Sequence, residues 1–231
     1  MKGISSLLMV PLLFTTPLFI RAQTEHQPAL EQIITEIYYI SDENDATDTD
    51  GGTLVAGSVT YRIYADLQPG YMVIGAFGDE KHPLMVETTT TFFNNEDRGE
   101  KTADILDAKY LSDNTVALDS WLTVNAASRE HAGVLKTEDP DSSVIGGIQN
   151  DGGSEEVEGG LLTNSSESMG PSLTESDGLV TDSVPEITYL GIDLNVLADV
   201  NDGPTVETTN GAWNVLGGTV GPTEANRVLL A

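Results

Sequence analysis

Between Gly57 and Phe93 the chain alternates apolar and polar positions more densely than anywhere else. Along residues 59–67 (VTYRIYADL), Val59, Tyr61, Ile63, Ala65 and Leu67 fall on one side, and Thr60, Arg62, Tyr64 and Asp66 on the other. That period of two predicts a half-buried strand with its apolar side inward. Gln68-Pro69-Gly70 is a turn, because Pro presets φ and Gly tolerates positive φ. Residues 71–77 are apolar on both sides and predict a more deeply buried strand. Residues 84–93, with four consecutive threonines and two phenylalanines, predict a third strand with a wet face.

The same reading extends along the chain. Residues 33–40 (IITEIYYI) predict a first strand. Residues 102–111 predict one short helix, with Ala103, Ile105, Leu106 and Tyr110 on one side. Residues 115–124 alternate again, and Trp121 is the expected core anchor. Between Lys136 and Arg227 there is no basic residue, and between Trp121 and Tyr189 no Phe, Tyr or Trp. Residues 149–183 mix Gly, Ser, Asp and Glu and predict a long mobile loop or linker. Strands are expected at 186–200, at 212–220 with a bend at Gly217-Gly218, and from Arg227 to Ala231; residues 201–209 read as a loop. The last run is apolar to its end, so the protein is expected to continue past Ala231.

The first 22 residues have a different character. Lys2 precedes an apolar run broken by Pro11 and Pro17, ending at Arg21-Ala22. This is the outline of a secretory signal peptide, shorter than the ~20 unbroken apolar residues of a membrane span. No other stretch is apolar enough to insert in a membrane, so residues 23–231 are expected to form one secreted domain. The chain has no cysteine, which removes disulfides, thiol catalysis and cysteine metal sites. Its 37 acidic against 10 basic side chains give a net charge of −27, which disfavours nucleic acid and anionic membrane surfaces as partners.

That charge raises the question of a cation. Asp42, Asp45, Asp48 and Asp50 crowd a turn ending in Gly51-Gly52, and closely spaced carboxylates on a Gly-containing loop suit calcium. The EF-hand spacing fails, because Ala46 and Gly57 stand where acids are required. A solvated acidic turn is the plainer reading. Glu138, Asp139 and Asp141 form a weaker cluster interrupted by Pro140. His26, His82 and His131 have no zinc-site spacing, and His82 and His131 read as surface residues. Ser120 beside Asp119 lies in an alternating run and reads as a packing residue, and no nucleophile elbow or phosphate loop is present. Tyr64, on the polar side of its strand, is the best candidate for an exposed sugar-stacking ring.

Taken together, YYISDENDATDTDGG, TYRIYADL, ALDSWLTV and NRVLLA resemble a secreted β domain of bacterial surface proteins exported by type IX secretion. The resemblance implies a modular, cell-surface setting and no particular chemistry. The expected fold is all-β, a two-layer antiparallel β-sandwich with jelly-roll-like connections and a long acidic Gly/Ser-rich loop. The expected function is a non-catalytic module for binding, adhesion or spacing, with an extracellular glycan or surface protein as partner and calcium as cofactor. The alternative is a carboxylate-based polysaccharide hydrolase or its accessory domain.

Overall fold

The computed structural model describes residues 28–41, 51, 54–111, 115–134, 179–198 and 203–231. Among them there is no α-helix; the fold is all-β, built from small antiparallel sheets. The strands are β1 (Leu30–Ile40), β2 (Val59–Leu67), β3 (Val73–Gly78), β4 (Leu84–Glu87), β5 (Ile187–Leu190), β6 (Thr205–Thr208), β7 (Gly211–Thr219) and β8 (Arg227–Leu229). They pair as β1-β2-β8, β3-β7-β5 and β4-β6.

The middle of β2 has apolar packing on both faces, which its alternation did not foretell. Tyr64 and its cross-strand partner Leu229 enter one core cluster; Ala65 and its partner Val228 enter the other. The second cluster also takes Ile187, Trp213 and Val215 from β5 and β7, so the sheets β1-β2-β8 and β3-β7-β5 share it. The first is filled from the chain between Phe93 and Val134, which contributes Leu106, Val116 and Leu118. This irregular stretch covers the side of β2 expected to face water. Arg62, Tyr64 and Asp66 are therefore buried. Two of them meet polar or aromatic partners there: Arg62 lies 3.8 Å over the Tyr38 ring, and Asp66 accepts from Gln32 Nε2 at 2.9 Å.

Several expected elements take other forms, each for a local reason. The strand expected at 84–93 stops at Glu87. Beyond it threonine hydroxyls bond to the local backbone: Thr88 Oγ1 accepts from Thr90 N at 3.5 Å, and Thr90 Oγ1 donates to Thr91 O at 3.2 Å. The helix expected at 102–111 is two 3₁₀ turns, Ala103–Ile105 and Ala108–Tyr110. Leu106 is extended between them, and Asp107 restarts the chain by accepting from Lys109 N. The alternation at 115–124 encloses a 3₁₀ turn, Val116–Leu118, in which all three residues are buried and no period of two survives. The strand expected at 186–200 ends at Leu190, where Gly191 takes φ 62°, and a 3₁₀ turn follows at Leu194–Leu197. The loop expected at 201–209 contains β6, because Val206 is buried while β4 supplies an edge to pair with. Residues 71–77 are not deeply buried: Ile74 and Phe77 are exposed.

The expected linker lies mostly outside the described residues, but its end does not behave as one. Leu179 is buried in the first cluster, Val180 N donates to Gly133 O at 3.1 Å, and Ala132 N donates to Val180 O at 2.8 Å. The expected signal peptide also lies outside the described residues. Among those described, no helix is long and apolar enough to cross a membrane.

Candidate binding face

Leucine and isoleucine stand at 30, 33, 37 and 40 of β1, a spacing of three, four and three. In a regular strand that spacing would scatter them over both faces. Two register shifts prevent this. One falls between Leu30 and Gln32, the other between Ile37 and Tyr39. Each inserts an extra residue against β2, as a β-bulge does, and so resets the alternation. Leu30 then opposes Leu67, Ile33 opposes Ala65, Ile37 opposes Tyr61 and Ile40 opposes Val59. All eight share one face of the sheet.

That face divides in two. At one end Ala65, Leu67 and Val228 are buried in the cluster shared with β3-β7-β5. Along β1 and the start of β2 it is open: Ile33, Ile37 and Ile40 are 53%, 56% and 57% exposed, and Tyr61 is 50% exposed. No carboxylate, lysine, arginine or histidine stands among these side chains, in a chain with 37 acids. The face reads from sequence as core, and the fold leaves it in water.

The back of the same strands is fixed. Ile34 packs against the first core cluster with Tyr64 and Leu229, and Tyr38 lies under Arg62. The end of β1 is tied to β2 beyond the ladder. Ser41 N donates to Ser58 O at 2.9 Å, Gly57 N donates to Ser41 O at 2.8 Å, and Ser41 Oγ donates to Val55 O at 2.6 Å. The open side chains are thus presented on an antiparallel strand pair whose back is packed. Among the described residues, no strand pairs with the other edge of β1.

Asp42, Asp45, Asp48 and Asp50, the expected calcium ligands, lie outside the described residues, as do His26 and the acids at 138, 139 and 141. The glycine that follows the acidic run is described. Gly51 O accepts from Glu96 N at 2.6 Å, and Gly51 packs against the Asn95 side chain. Among the described residues no group of three or more His, Asp or Glu is gathered to hold a metal. Tyr64 is 8% exposed and offers no stacking face, because the 93–134 stretch covers it. His131 is buried as well: it closes a tight turn and lies 2.8 Å from Ser128 Oγ. His82 is exposed beside Asp79, as expected. Ser120 does pack, its Oγ accepting from Phe93 N at 3.1 Å. Trp121 is half-buried between the two clusters; the ring that anchors the core is Trp213, 3% exposed, with Nε1 donating to Thr123 O at 2.9 Å.

The carboxylate that sequence reasoning missed is Asp119. It is buried, with Oδ1 accepting from Asn95 N at 2.7 Å and Oδ2 from Glu100 N at 3.3 Å. The loop 94–100 is wound around it. Asn94 Nδ2 donates to Glu100 O at 2.8 Å, and Asn95 Oδ1 accepts from the backbone of Asp97 and Arg98. Gly99 is required, since a Cβ there would stand 2.5 Å from Asp119 Oδ2. Burial pushes the Asp119 carboxyl well above the ordinary carboxylate range, against the opposing pull of the two backbone N–H groups. A raised acid can serve hydrolysis, but this one is covered and committed to holding a loop. Tyr189 is likewise pushed up, by burial and then by the charge of Asp104, to which its hydroxyl donates at 3.0 Å.

Compared with protein-family models, with curated proteins and with solved structures, the chain matches none.

Proposed function

We propose that this is a secreted or cell-surface, non-catalytic β-sandwich module that binds a partner protein through the open apolar face of β1 and β2. One observation carries the reading: bulges gather Leu30, Ile33, Ile37 and Ile40 on one face, and the fold leaves them about half exposed. A contiguous apolar patch on an otherwise acidic surface is the mark of an interaction site. Fully burying such a side chain is worth ~1.5–3 kcal/mol, so covering the exposed halves of four of them contributes about 4 kcal/mol to binding. Aliphatic side chains gain this from other apolar side chains and offer no ring on which a sugar would stack, which favours protein over glycan.

The two-layer arrangement with jelly-roll-like connections belongs to the same proposal. It is supported by the core shared between β1-β2-β8 and β3-β7-β5, and by strand orders that set β8 beside β2 and β7 between β3 and β5. Export is supported by the signal-like first 22 residues and the resemblance to type IX-exported surface domains. Calcium is the proposed cation for Asp42, Asp45, Asp48 and Asp50, supported by their spacing before Gly51. Calorimetry with calcium tests that part; absence of both heat and thermal stabilisation would remove it.

The binding reading is tested by comparing the wild-type chain with Ile37→Lys on arrays of extracellular proteins and of glycans. Ile37 is 56% exposed, so the variant folds. The expected result is a protein target that the variant no longer holds. Equal retention by both chains, or binding confined to glycans, would refute it.

A further inference from the structure

The threonine run of residues 88–91 takes no part in the binding face, and the fold holds it out as an arch. We infer that this arch is an acceptor site for O-linked sugar, with Thr89 and Thr91 as the modified hydroxyls. The inference goes beyond the binding face and rests on the export part of the proposed function, which brings the chain to a glycosyltransferase.

Threonine is β-branched and suits a strand, so this run would ordinarily prolong β4. It does not. β4 ends at Glu87, and residues 88–91 belong to no strand. The arch is pinned at both feet: Thr88 N donates to Pro204 O at 2.9 Å, and Phe92 N donates to Gly203 O at 3.4 Å. The core holds both feet as well. Val86 opposes Val206 and packs against the second cluster, and Phe92 is buried within it. Between the feet Thr89, Thr90 and Thr91 are exposed. The Thr90 hydroxyl donates to Thr91 O. Among the described residues, no hydrogen bond engages the hydroxyls of Thr89 and Thr91. Glu87, the four threonines and Pro204 line an open depression, which leaves room beside those hydroxyls for an added ring.

Two additions to a hydroxyl are common, and charge decides between them. A phosphoryl group adds negative charge and needs basic partners. Between Lys81 and Arg98 there is no lysine or arginine, Glu87 adjoins the run, and the whole chain stands at −27. A neutral sugar meets no such repulsion, and hydroxyl-rich runs with proline are the composition of O-glycosylated segments. In the transfer, threonine Oγ1 attacks the anomeric carbon of a glycosyl phosphate donor. The bond from Oγ1 to that carbon forms as the bond from the carbon to the phosphate oxygen breaks. The hydroxyl proton passes to a base of the transferase, and the phosphate leaves with the bonding electrons.

The test is mass spectrometry of the protein purified from its own source and cut after Lys81 and Arg98. The expected result is a sugar mass on the peptide of residues 82–98, mapped by electron-transfer fragmentation to Thr89 or Thr91. The same peptide from protein made in a cytoplasm without glycosyltransferases should lack it. Thr89→Val combined with Thr91→Val should abolish it, and because both positions are exposed the variant should melt as the wild type does. An unmodified peptide, a phosphate mass, sugar confined to other peptides, or sugar that persists on the double variant would overturn the inference. The N-terminal residue of the same sample separates the causes of a failure. Loss of residues 1–22 beside an unmodified peptide would sink the site and leave export standing; their retention would sink both.

Discussion

Replacing Asp119 by Asn tests whether a buried carboxyl, and not a buried carboxylate, organises the loop at 94–100. The side chain is 6% exposed, and each oxygen accepts one backbone N–H, from Asn95 and from Glu100. Asparagine keeps the shape but has one acceptor oxygen, so one of those N–H groups must lose its partner. An orphaned buried donor costs about 2 kcal/mol, which in a domain of this size lowers Tm by roughly 4–8 °C. The pH dependence supplies the sharper test. Burial raises the folded-state pKa above the ordinary value of 3.8. A folded pKa above the unfolded one means that protonation favours the fold. The stability it brings is complete below 3.8 and is lost as pH rises through the raised folded value. The substituted amide does not titrate, so the penalty of Asp119→Asn should grow as pH falls from neutral and level off near 3.8. Thermal denaturation of both proteins across that range measures it directly. A penalty that shrinks on acidification would mean the two N–H groups hold an ion more strongly than burial opposes it, and the reasoning would fail.

Other outcomes follow from the same contacts. Gly99→Ala should destabilise by about 1–3 kcal/mol by driving a methyl into Asp119, Asn94 and Asn95, read as a lower urea midpoint at unchanged slope. Trp213→Phe removes the donor to Thr123 O and leaves a void in the shared core, so a loss of about 2–4 kcal/mol is expected from chemical denaturation. Leu216→Ser alters a side chain 99% exposed and should change stability by less than about 0.5 kcal/mol, a control for surface substitution read from the same denaturation curves.

How far the fold was legible in the sequence depended on whether a segment has one buried side. β2 was readable to the residue, Val59 to Leu67, because alternation survives in its composition. Which of its sides meets water was not, because the cover comes from the irregular chain between Phe93 and Val134. Arg62 and Asp66 look like a solvent face until Tyr38, Gln32 and Arg227 are set against them. The runs at 102–111 and 115–124 failed differently. Buried on several sides, they carry apolar residues in no fixed period, and a local cap from Asp107 opens only one of their three 3₁₀ turns. The candidate face was legible as an apolar row along β2, but its continuation along β1 was hidden by spacing. Residues 30, 33, 37 and 40 resemble a helical stripe, and only the two bulges make them neighbours. Asp119 gave no signal beyond its place in an alternating run, and Asn94, Asn95 and Gly99 become informative only once they are seen to close around it.

The position of the acids bears on how this polypeptide tolerates its charge. With a net charge of −27 and no disulfide, self-repulsion opposes compaction. The described part of the fold meets this by burying few carboxylates and tying down each one it does bury. Asp66 is held by Gln32 and lies 3.7 Å from Arg227; Asp119 takes two backbone donors and is driven toward its neutral form. Repulsion left on the surface also acts between molecules, where it keeps identical copies apart. An uncharged apolar row in water would ordinarily invite self-association. On this surface the same row can stay open in water, because the protein's own copies are held off by their net charge. Raising the ionic strength should erode that protection. Self-association of the wild-type chain that increases with salt, and that Ile37→Lys abolishes, is the expected consequence in sedimentation. Association that instead weakens with salt would show that charge attraction, not the apolar row, brings copies together.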